Sequence, residues 1–392
     1  MPSPASAASS APADSTRVTA PVRVRQFVLG QVPREFAELS WTINARDPQW
    51  VPPLRMALDP LLNGKHPFHE HADTAFFVAY RGSEAVGRIA AVVNHRSNEF
   101  HGERLGTFGL FECADDAEAA SALLEEAAAW AQAQGMTTLR GPFNLSTNDE
   151  LHSPGVLIEG FDTPPVFMMG HNPRYYGRLM ESAGLVKAKD LVAYWLASNR
   201  PAPRLVEGMQ RLAKRGGWSI RPVNLKRFKE EVGTVMGIYN SAWEKNWGFV
   251  PMTPAEFEHM AREFRPVVDP NLCLIAEKDG EPIGFLLCLP DLNRAIKHIP
   301  NGKLFPFGLF KFLWHKRKIR SLRIMTLGMK PGYQDSGIGA ALYTAGFHAG
   351  DQRGYDDGEA SWILEDNHRM CTAMEKAGGT LYKRYRIYER PL

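Results

Sequence analysis

The amino-acid sequence predicts an α+β fold in which one unit of strands and helices occurs twice, and three observations point there. Ile324–Met329 is a short apolar run that Lys330-Pro331-Gly332 ends as a turn, and the helical pattern after it has Ile338, Leu342, Ala345 and Ala349 on one face. Upstream, the apolar runs Leu272–Glu277 and Ile283–Leu289 meet at Lys278-Asp279-Gly280, a hairpin signal. The chain also repeats itself. Met180-Glu181-Ser182-Ala183-Gly184 recurs as Met374-Glu375-Lys376-Ala377-Gly378, Tyr194 lies as far beyond the first as Tyr388 beyond the second, and Glu84-Ala85-Val86-Gly87 matches Glu281-Pro282-Ile283-Gly284. A period near ~195 residues is too long for a solenoid and indicates a duplicated domain.

Taken in order, residues 1–20 are Ala, Ser, Pro and Thr with few large apolar side chains, so a disordered tail without the apolar core of a signal peptide is expected. The remainder suffices for two domains, and its 44% apolar content is that of a globular protein. A first domain is expected over 21–200. It begins with a strand at Val22–Leu29 and a helix from Pro33 to about Asn44, then a proline- and aromatic-rich loop over Asp47–Glu70. His66, His69, His71 and Asp73 lack a recognised zinc spacing, so structural histidines and no metal are expected. A hairpin follows (Ala75–Tyr80, Ala85–Val93), then a strand at Leu105–Phe111, a helix over Asp116–Gln134 with acidic residues in its first turn, and a strand at Met136–Arg140. Asn148-Asp149-Glu150 sits in a polar loop that either faces the active site across the domain interface or forms an Asx turn and cap, and Asn172-Pro173 reads as cap and first residue of a helix carrying Tyr175 and Tyr176. A linker is expected at 201–217, marked by Ser198–Pro203 and Lys214-Arg215-Gly216-Gly217. The second domain, 218–392, opens at Trp218–Pro222 and closes with a strand at Ala360–Leu364, a helix at His368–Lys376, and a strand carrying Tyr382, Tyr385, Ile387 and Tyr388.

The chemistry concentrates at Gln334-Asp335-Ser336-Gly337-Ile338-Gly339. A strand, a glycine-containing turn and a helix N-terminus make an anion site, because successive N–H groups converge there and the glycines let a pyrophosphate approach the backbone. The corresponding stretch of the first copy, Cys113–Glu118, contains no glycine, so that copy is expected to be degenerate and to hold no cofactor of its own. Four cysteines (Cys113, Cys273, Cys288, Cys371) show neither paired nor metal-ligand spacing, which makes reduced thiols in a cytoplasmic compartment the expectation. No apolar run of roughly 18 residues suggests a membrane span.

One segment exceeds what a hairpin connection needs. In the insertion 291–322, Leu304-Phe305-Pro306-Phe307-Gly308-Leu309-Phe310-Lys311-Phe312-Leu313-Trp314 precedes His315-Lys316-Arg317-Lys318-Ile319-Arg320. Between Leu292 and Gln334 there is no Asp or Glu, against ten basic residues: Arg294, Lys297, Lys303, Lys311, Lys316, Arg317, Lys318, Arg320, Arg323 and Lys330. Aromatics beside a basic cluster suit the headgroup boundary of an anionic membrane, touched peripherally on its inner face through 304–320. The alternative is an apolar flap whose basic end serves a phosphate-bearing ligand. Nucleic acid is not expected, since no recognised module accompanies the charge.

From Trp218 to Leu392, the phosphate turn and the order of elements resemble the GNAT superfamily of acyl-CoA-dependent N-acyltransferases, whose turn reads Gln/Arg-x-x-Gly-x-Gly/Ala. The resemblance implies two GNAT-like mixed-sheet domains in tandem, with acyl-CoA as co-substrate and no metal. It places pyrophosphate at Gln334, Asp335, Ser336, Gly337, Ile338, Gly339 and Ala340, an asparagine of the fold at Asn367, and oxyanion donors at the backbone of Gly328 and Met329. For the general base, Glu365 comes first and Glu244, in Trp243–Trp247, second; each is equally readable as a surface carboxylate or cap. The family's usual acid is a tyrosine where this chain has Met374, which leaves Tyr382, Tyr385, Tyr343 or solvent, with His298 and His315 further acid–base candidates. The duplication, the Asn148 and Asn172 segments and the aromatic insertion together look like the tandem acyltransferases that include bacterial ceramide synthases. That implies acyl transfer to the amine of a sphingoid base or similar lipid. Acetylation of a small or protein amine, use of another activated donor, and a non-catalytic CoA- or lipid-binding module are the alternatives.

Overall fold

The computed structural model describes residues 20–146, 148, 154–197 and 203–392. The expected tail, but for Ala20, lies outside them, as do Asp149, Glu150 and most of Ser198–Pro203. The first copy runs β1 (Val22–Val28), α1 (Arg34–Asn44), α2 (Arg55–Asn63), β2 (Ala72–Arg81), β3 (Glu84–Asn94), α3 (His95–His101), β4 (Leu105–Cys113), α4 (Ala117–Ala133), β5 (Thr138–Gly141), β6 (Val156–Glu159), α5 (Tyr176–Ser182) and β7 (Val186–Leu196). The second runs α6 (Pro203–Gly216), β8 (Trp218–Pro222), α7 (Phe228–Trp243), α8 (Pro254–Phe264), β9 (Cys273–Lys278), β10 (Glu281–Pro290), α9 (Asn293–Ile296), α10 (Gly308–Lys316), β11 (Ser321–Met329), α11 (Ile338–Gln352), β12 (Asp357–Leu364), α12 (His368–Lys376) and β13 (Thr380–Pro391).

Local chemistry accounts for many boundaries. The β9–β10 turn has Asp279 and Gly280 both at positive φ, 53° and 82°, the pattern of a primed hairpin turn. Asp116 accepts the Ala119 N–H to cap α4, and Thr253 with Glu256 forms a capping box on α8, with Pro254 at its first position. Three expectations are corrected. The segment expected as a loop over Asp47–Glu70 contains α2, which forms in spite of Pro60 because Leu58 and Leu61 bury against the core of Phe36 and Phe68. The expected linker at 201–217 contains α6, whose Met209, Leu212 and Ala213 pack on the second copy's core. Asn172 is not a helix cap: its Oδ1 accepts the Leu157 N–H and its Nδ2 donates to the Leu157 carbonyl, while α5 begins at Tyr176.

The strands form one mixed sheet in the order β1-β2-β3-β4-β5-β13-β7-β12-β11-β10-β9-β8, with β6 beside β13. This order exchanges the last strands of the copies. β7, from the first copy, pairs antiparallel with β12 of the second, and β13, from the second, pairs antiparallel with β5 of the first. The two exchanged strands pair with each other along Thr380–Glu389, which makes the seam between copies a continuous backbone ladder. Helices α4 and α5 cover one face of the first copy's strands and α1 and α2 the other; α11 and α7 do the same in the second. Side chains also cross the seam. His71 meets Glu256 at 3.1 Å, Tyr239 donates to Asn148 Oδ1 at 2.7 Å, and Asn148 Nδ2 donates to the Val250 carbonyl at 2.8 Å, so Asn148 does face the other copy.

Each half, expressed alone, would present an unpaired strand edge and lack the strand that completes its sheet. Fragments 20–197 and 203–392 are therefore expected to aggregate separately and to form a soluble complex when co-expressed. A monodisperse, cooperatively melting 203–392 fragment in size-exclusion chromatography and calorimetry would contradict the exchange.

Candidate active site

β11 and β12 pair in parallel only over Ser321–Ile324 and Asp357–Ala360, then part. At the same level β11 bulges, since Leu287 faces Thr326 whereas Cys288 faces Ile324, leaving Met325 as the extra residue. The bulge turns Met325 to the α7 side, against Phe264 and Met168, while Leu327 and Met329 stay with the α11 core. The result is a V whose root lies at Ile324 and Ala360 and whose mouth lies at the turn after Met329.

That turn has the form the sequence predicts. Lys330 donates to the Ile283 carbonyl, Gly332 N–H to Gln334 Oε1 at 3.0 Å, and Ser336 Oγ to the Tyr333 carbonyl at 2.6 Å. Gly337 takes φ 80°, a conformation costly for a residue with a Cβ, and α11 starts at Ile338 with no acidic residue in its first turn. A Cβ on Gly337 would lie 2.7 Å from Leu212 of α6, and one on Gly339 would lie 2.9 Å from the Met329 side chain. Asp335, Ser336 and Ala340 are exposed. Arg369 of α12 reaches back to the Gln334 carbonyl and pairs with Asp335 at 3.0 Å, which puts an exposed cation on the anion turn. Asn367 accepts the Met370 N–H and thereby caps α12.

Gly328 is buried under Trp243: a Cβ there would lie 2.2 Å from the indole, so glycine is what lets α7 close on β11. Glu244 is exposed at the end of α7 and lines a cavity of about 240 Å³ between the copies, with Arg140, Glu103, Ser97 and Trp247. Glu365 is engaged elsewhere: its carboxylate accepts from Lys187 at 2.7 Å and from the Asp190 N–H at 3.0 Å, closing the bend after β12 onto β7. Tyr385 is buried and Tyr343 half-buried, each with its hydroxyl held far above the ordinary phenol range by burial; Tyr343 donates to Met374 Sδ. His298 and His315 stack on each other at 3.5 Å within the insertion.

Tyr382 stands apart from the other tyrosines. Its hydroxyl donates to Glu359 of β12, a residue the sequence reading did not single out, and its ring meets Trp195 edge-on at 5.8 Å. Glu359 faces Arg323 across the last rungs before the V opens. Arg323, Glu359 and Lys383 are all buried charges on strands, and a charge at a core-facing strand position is the signal that would have found them.

The first copy has a strand opening of the same kind with side chains at its edge, beside a cavity of about 100 Å³ lined by Arg88, Glu112, Asn172 and Tyr176. β4 and β5 also pair briefly, at Leu105–Thr107 and Thr138–Arg140. There Tyr176 OH accepts the Cys113 N–H and Tyr175 OH donates to the Cys113 carbonyl, so phenols take the edge of β4. The repeat that aligns Met180 with Met374 places Arg369 and Met370 at those positions in the second copy. Register aligns Glu112 with Gly328, since Arg88 faces the one and Phe285 the other.

Residues 234–378 match the model of the acetyltransferase (GNAT) family. The chain is also similar in fold to two solved structures: a tandem GNAT protein from the clavulanic acid biosynthesis pathway (TM-score 0.55, 13% identity, covering 95% of this chain and 98% of that one) and a GCN5-related N-acetyltransferase from Sphaerobacter thermophilus (TM-score 0.51, 15% identity, 95% and 97%). The chain belongs to the GNAT acyltransferases, in their tandem form, and is an N-acyltransferase of that type. Among its relatives are a bacterial ceramide synthase of Caulobacter vibrioides (strain NA1000 / CB15N), 39% identical over 92% of this chain and 94% of that protein, and the protein YghO of Escherichia coli (strain K12), 36% identical over 94% and 95%.

Replacing Gly337 by glutamate puts negative charge and bulk on the anion turn. Gly337→Glu is expected to abolish acyl-CoA binding in titration calorimetry; undiminished affinity in a folded variant would remove the phosphate-site assignment.

Proposed function

We propose that this protein transfers a long-chain acyl group from acyl-CoA to the amine of a sphingoid base or similar lipid amine. The observation that carries the lipid reading is the surface of the insertion. Phe305, Phe307, Phe310 and Trp314 are 64%, 76%, 72% and 62% exposed on and beside α10. Apolar exposure on that scale within one element marks a contact surface. Beneath it Leu292, Ile296 and Ile319 are buried with Phe312, while Trp41 and Arg55 of the first copy hold the Pro300 and Asn301 carbonyls. The aromatics therefore stand on a fixed platform, with Lys311, Arg317, Lys318 and Arg320 exposed around them. Peripheral contact with an anionic membrane follows, each basic side chain adding about 1 kcal/mol near the headgroups. Among the described residues no helix is long and apolar enough to cross a membrane.

In this reading Gln334–Ala340 hold the pyrophosphate, the pantetheine arm lies along the parted edge of β11 towards the root of the V, and backbone N–H groups at Gly328-Met329 face the thioester oxygen. The neutral amine attacks the thioester carbon, the N–C bond forms and the C–S bond breaks. Tyr175 and Tyr176 on the edge of β4 support the view that the first copy takes no acyl-CoA of its own.

Purified protein incubated with long-chain acyl-CoA and a panel of sphingoid bases, polyamines and amino acids is expected to yield N-acylated sphingoid base by mass spectrometry. Product only from a polar amine would discard the lipid reading and keep the acyltransferase. Separately, replacing Phe307, Phe310 and Trp314 by serine should weaken sedimentation with anionic vesicles by at least about tenfold while leaving acyl-CoA affinity intact; unchanged sedimentation would remove the membrane role.

A further inference from the structure

We infer that the cavity of the first copy is a binding site for the ammonium head of an aliphatic amine, set behind the aromatic insertion. That this amine is the acyl acceptor rests on the reading proposed above; the binding site itself does not.

The cavity, of about 100 Å³, lies beside the parted ends of β4 and β5. Two acceptors on its wall have capacity left. The first is His171, whose side chain is 1% exposed. Its Nε2 pairs with Asp47 Oδ2 at 2.8 Å, and its Nδ1 has no hydrogen-bond partner among the described residues. Burial disfavours the charge of Asp47, but hydrogen bonds from His171 and the Gln49 N–H hold its carboxyl below the usual range. Facing an ionised Asp47, Nε2 carries the proton and Nδ1 keeps its lone pair. Burial also lowers the imidazole against the pull of Asp47, which keeps the ring neutral.

Glu112 is the second acceptor. Its Oε2 accepts from the Tyr176 hydroxyl at 2.7 Å and from Asn44 Nδ2 at 3.2 Å, whereas Oε1 meets only Arg88 Nη2, at 3.9 Å, too far for a hydrogen bond. The neighbouring donors are turned to the protein. Arg88 donates to the Leu110 and Phe36 carbonyls and to Ser40 Oγ, and Asn172 to the Leu157 and Pro173 carbonyls. A ligand that satisfies this wall brings donors. Asp47 and Glu112 outnumber Arg88, while Lys383 and Arg174, which also act on His171, have Glu359 and Asp162 as counter-charges. The balance favours a cation, and Trp50 and Phe111 give the wall aromatic surface that suits a cation and the first carbons of its chain.

The position suits an amine taken up at the insertion. β4 and β5 run opposite to β11 and β12, because three antiparallel steps separate the pairs. The C-terminal end of β4 and the N-terminal end of β11, where the insertion rejoins the sheet, therefore share one edge. The cavity and the insertion also share a wall. Trp50 meets Trp41 edge-on at 5.9 Å, Trp41 donates to the Pro300 carbonyl, and Val51 is buried with Leu292 and Ile296. On the other side Met169, Gly170 and His171 line the cavity, while Met168 packs against Met325 at the V. One short segment thus joins the amine site to the acyl-transfer site.

The test uses the full-length protein without acyl-CoA. It is titrated by calorimetry with decylammonium below its micellar concentration, with decanoate as control, and labelled with an aliphatic amine that carries a diazirine in its chain. Decylammonium is expected to bind at least about tenfold more tightly than decanoate, and label should appear at residues 50–53 or at Met169. Glu112→Gln and His171→Phe should each weaken decylammonium at least about tenfold, with acyl-CoA affinity kept within about threefold. A purely structural His171–Asp47 pair beside a water-filled cavity predicts neither loss. Equal affinity for decanoate, or label confined to α10 or to β11 and β12, overturns the inference in wild type, whether or not the variants fold. The two readings fail separately. N-acylation of a sphingoid base without label in the cavity removes this site alone; label in the cavity of a protein that acylates no amine removes the acyl-transfer reading and leaves the site.

Discussion

The exchange of β7 and β13 is the constraint on which the rest of the molecule depends. Each copy donates its last strand to the other's sheet, and the two donated strands then pair with each other. Backbone hydrogen bonds thus carry the seam that side chains alone hold in many two-domain proteins. A seam of this kind resists hinge motion. It also fixes the register between copies, since a one-residue slip would turn every core-facing side chain of β7 and β13 outward.

The candidate site uses this arrangement at both ends of the V. At the mouth the anion turn is local: a strand, two glycines and a helix N-terminus, all within the second copy. At the root the buried charges are non-local, with Arg323 and Glu359 from adjacent parallel strands, Tyr382 and Lys383 from a strand two places away, and their supporting carbonyls from the first copy. The mouth needs convergent N–H groups, which one turn can supply. The root needs water excluded from several charges at once, which takes two domains.

Duplication has let the copies diverge at equivalent positions. Where the second copy has Arg369 and Met370, the first has Tyr175 and Tyr176, whose hydroxyls occupy the strand edge; where the second has Gly328 under Trp243, the first has Glu112 beside Arg88. The first copy also serves as scaffold, presenting Phe167, Gly160 and Thr163 to the buried charges and Trp41 and Arg55 to the insertion.

Much of this was legible in the residues. The hairpin at Asp279-Gly280, the turn at Gln334–Gly339, the duplication and the aromatic, basic insertion all follow from local pattern, because turn chemistry, helix caps and hydrophobic period act over a few residues. Helices α2 and α6 were hidden, one by Pro60 and the other by a polar, proline-flanked start, since burial against distant residues decided them. The base candidates read from sequence, Glu365 and Glu244, were picked by their place along the chain, and Glu365 proved to be paired with Lys187 across the seam. The burial of Glu359 is likewise set by its neighbours on β11, β7 and β13. A strand's sequence shows which residues alternate to the same face, but not which strand will lie beside it. Strand exchange is settled by long-range pairing, and with it the dielectric and the partners that set the chemistry of a carboxylate.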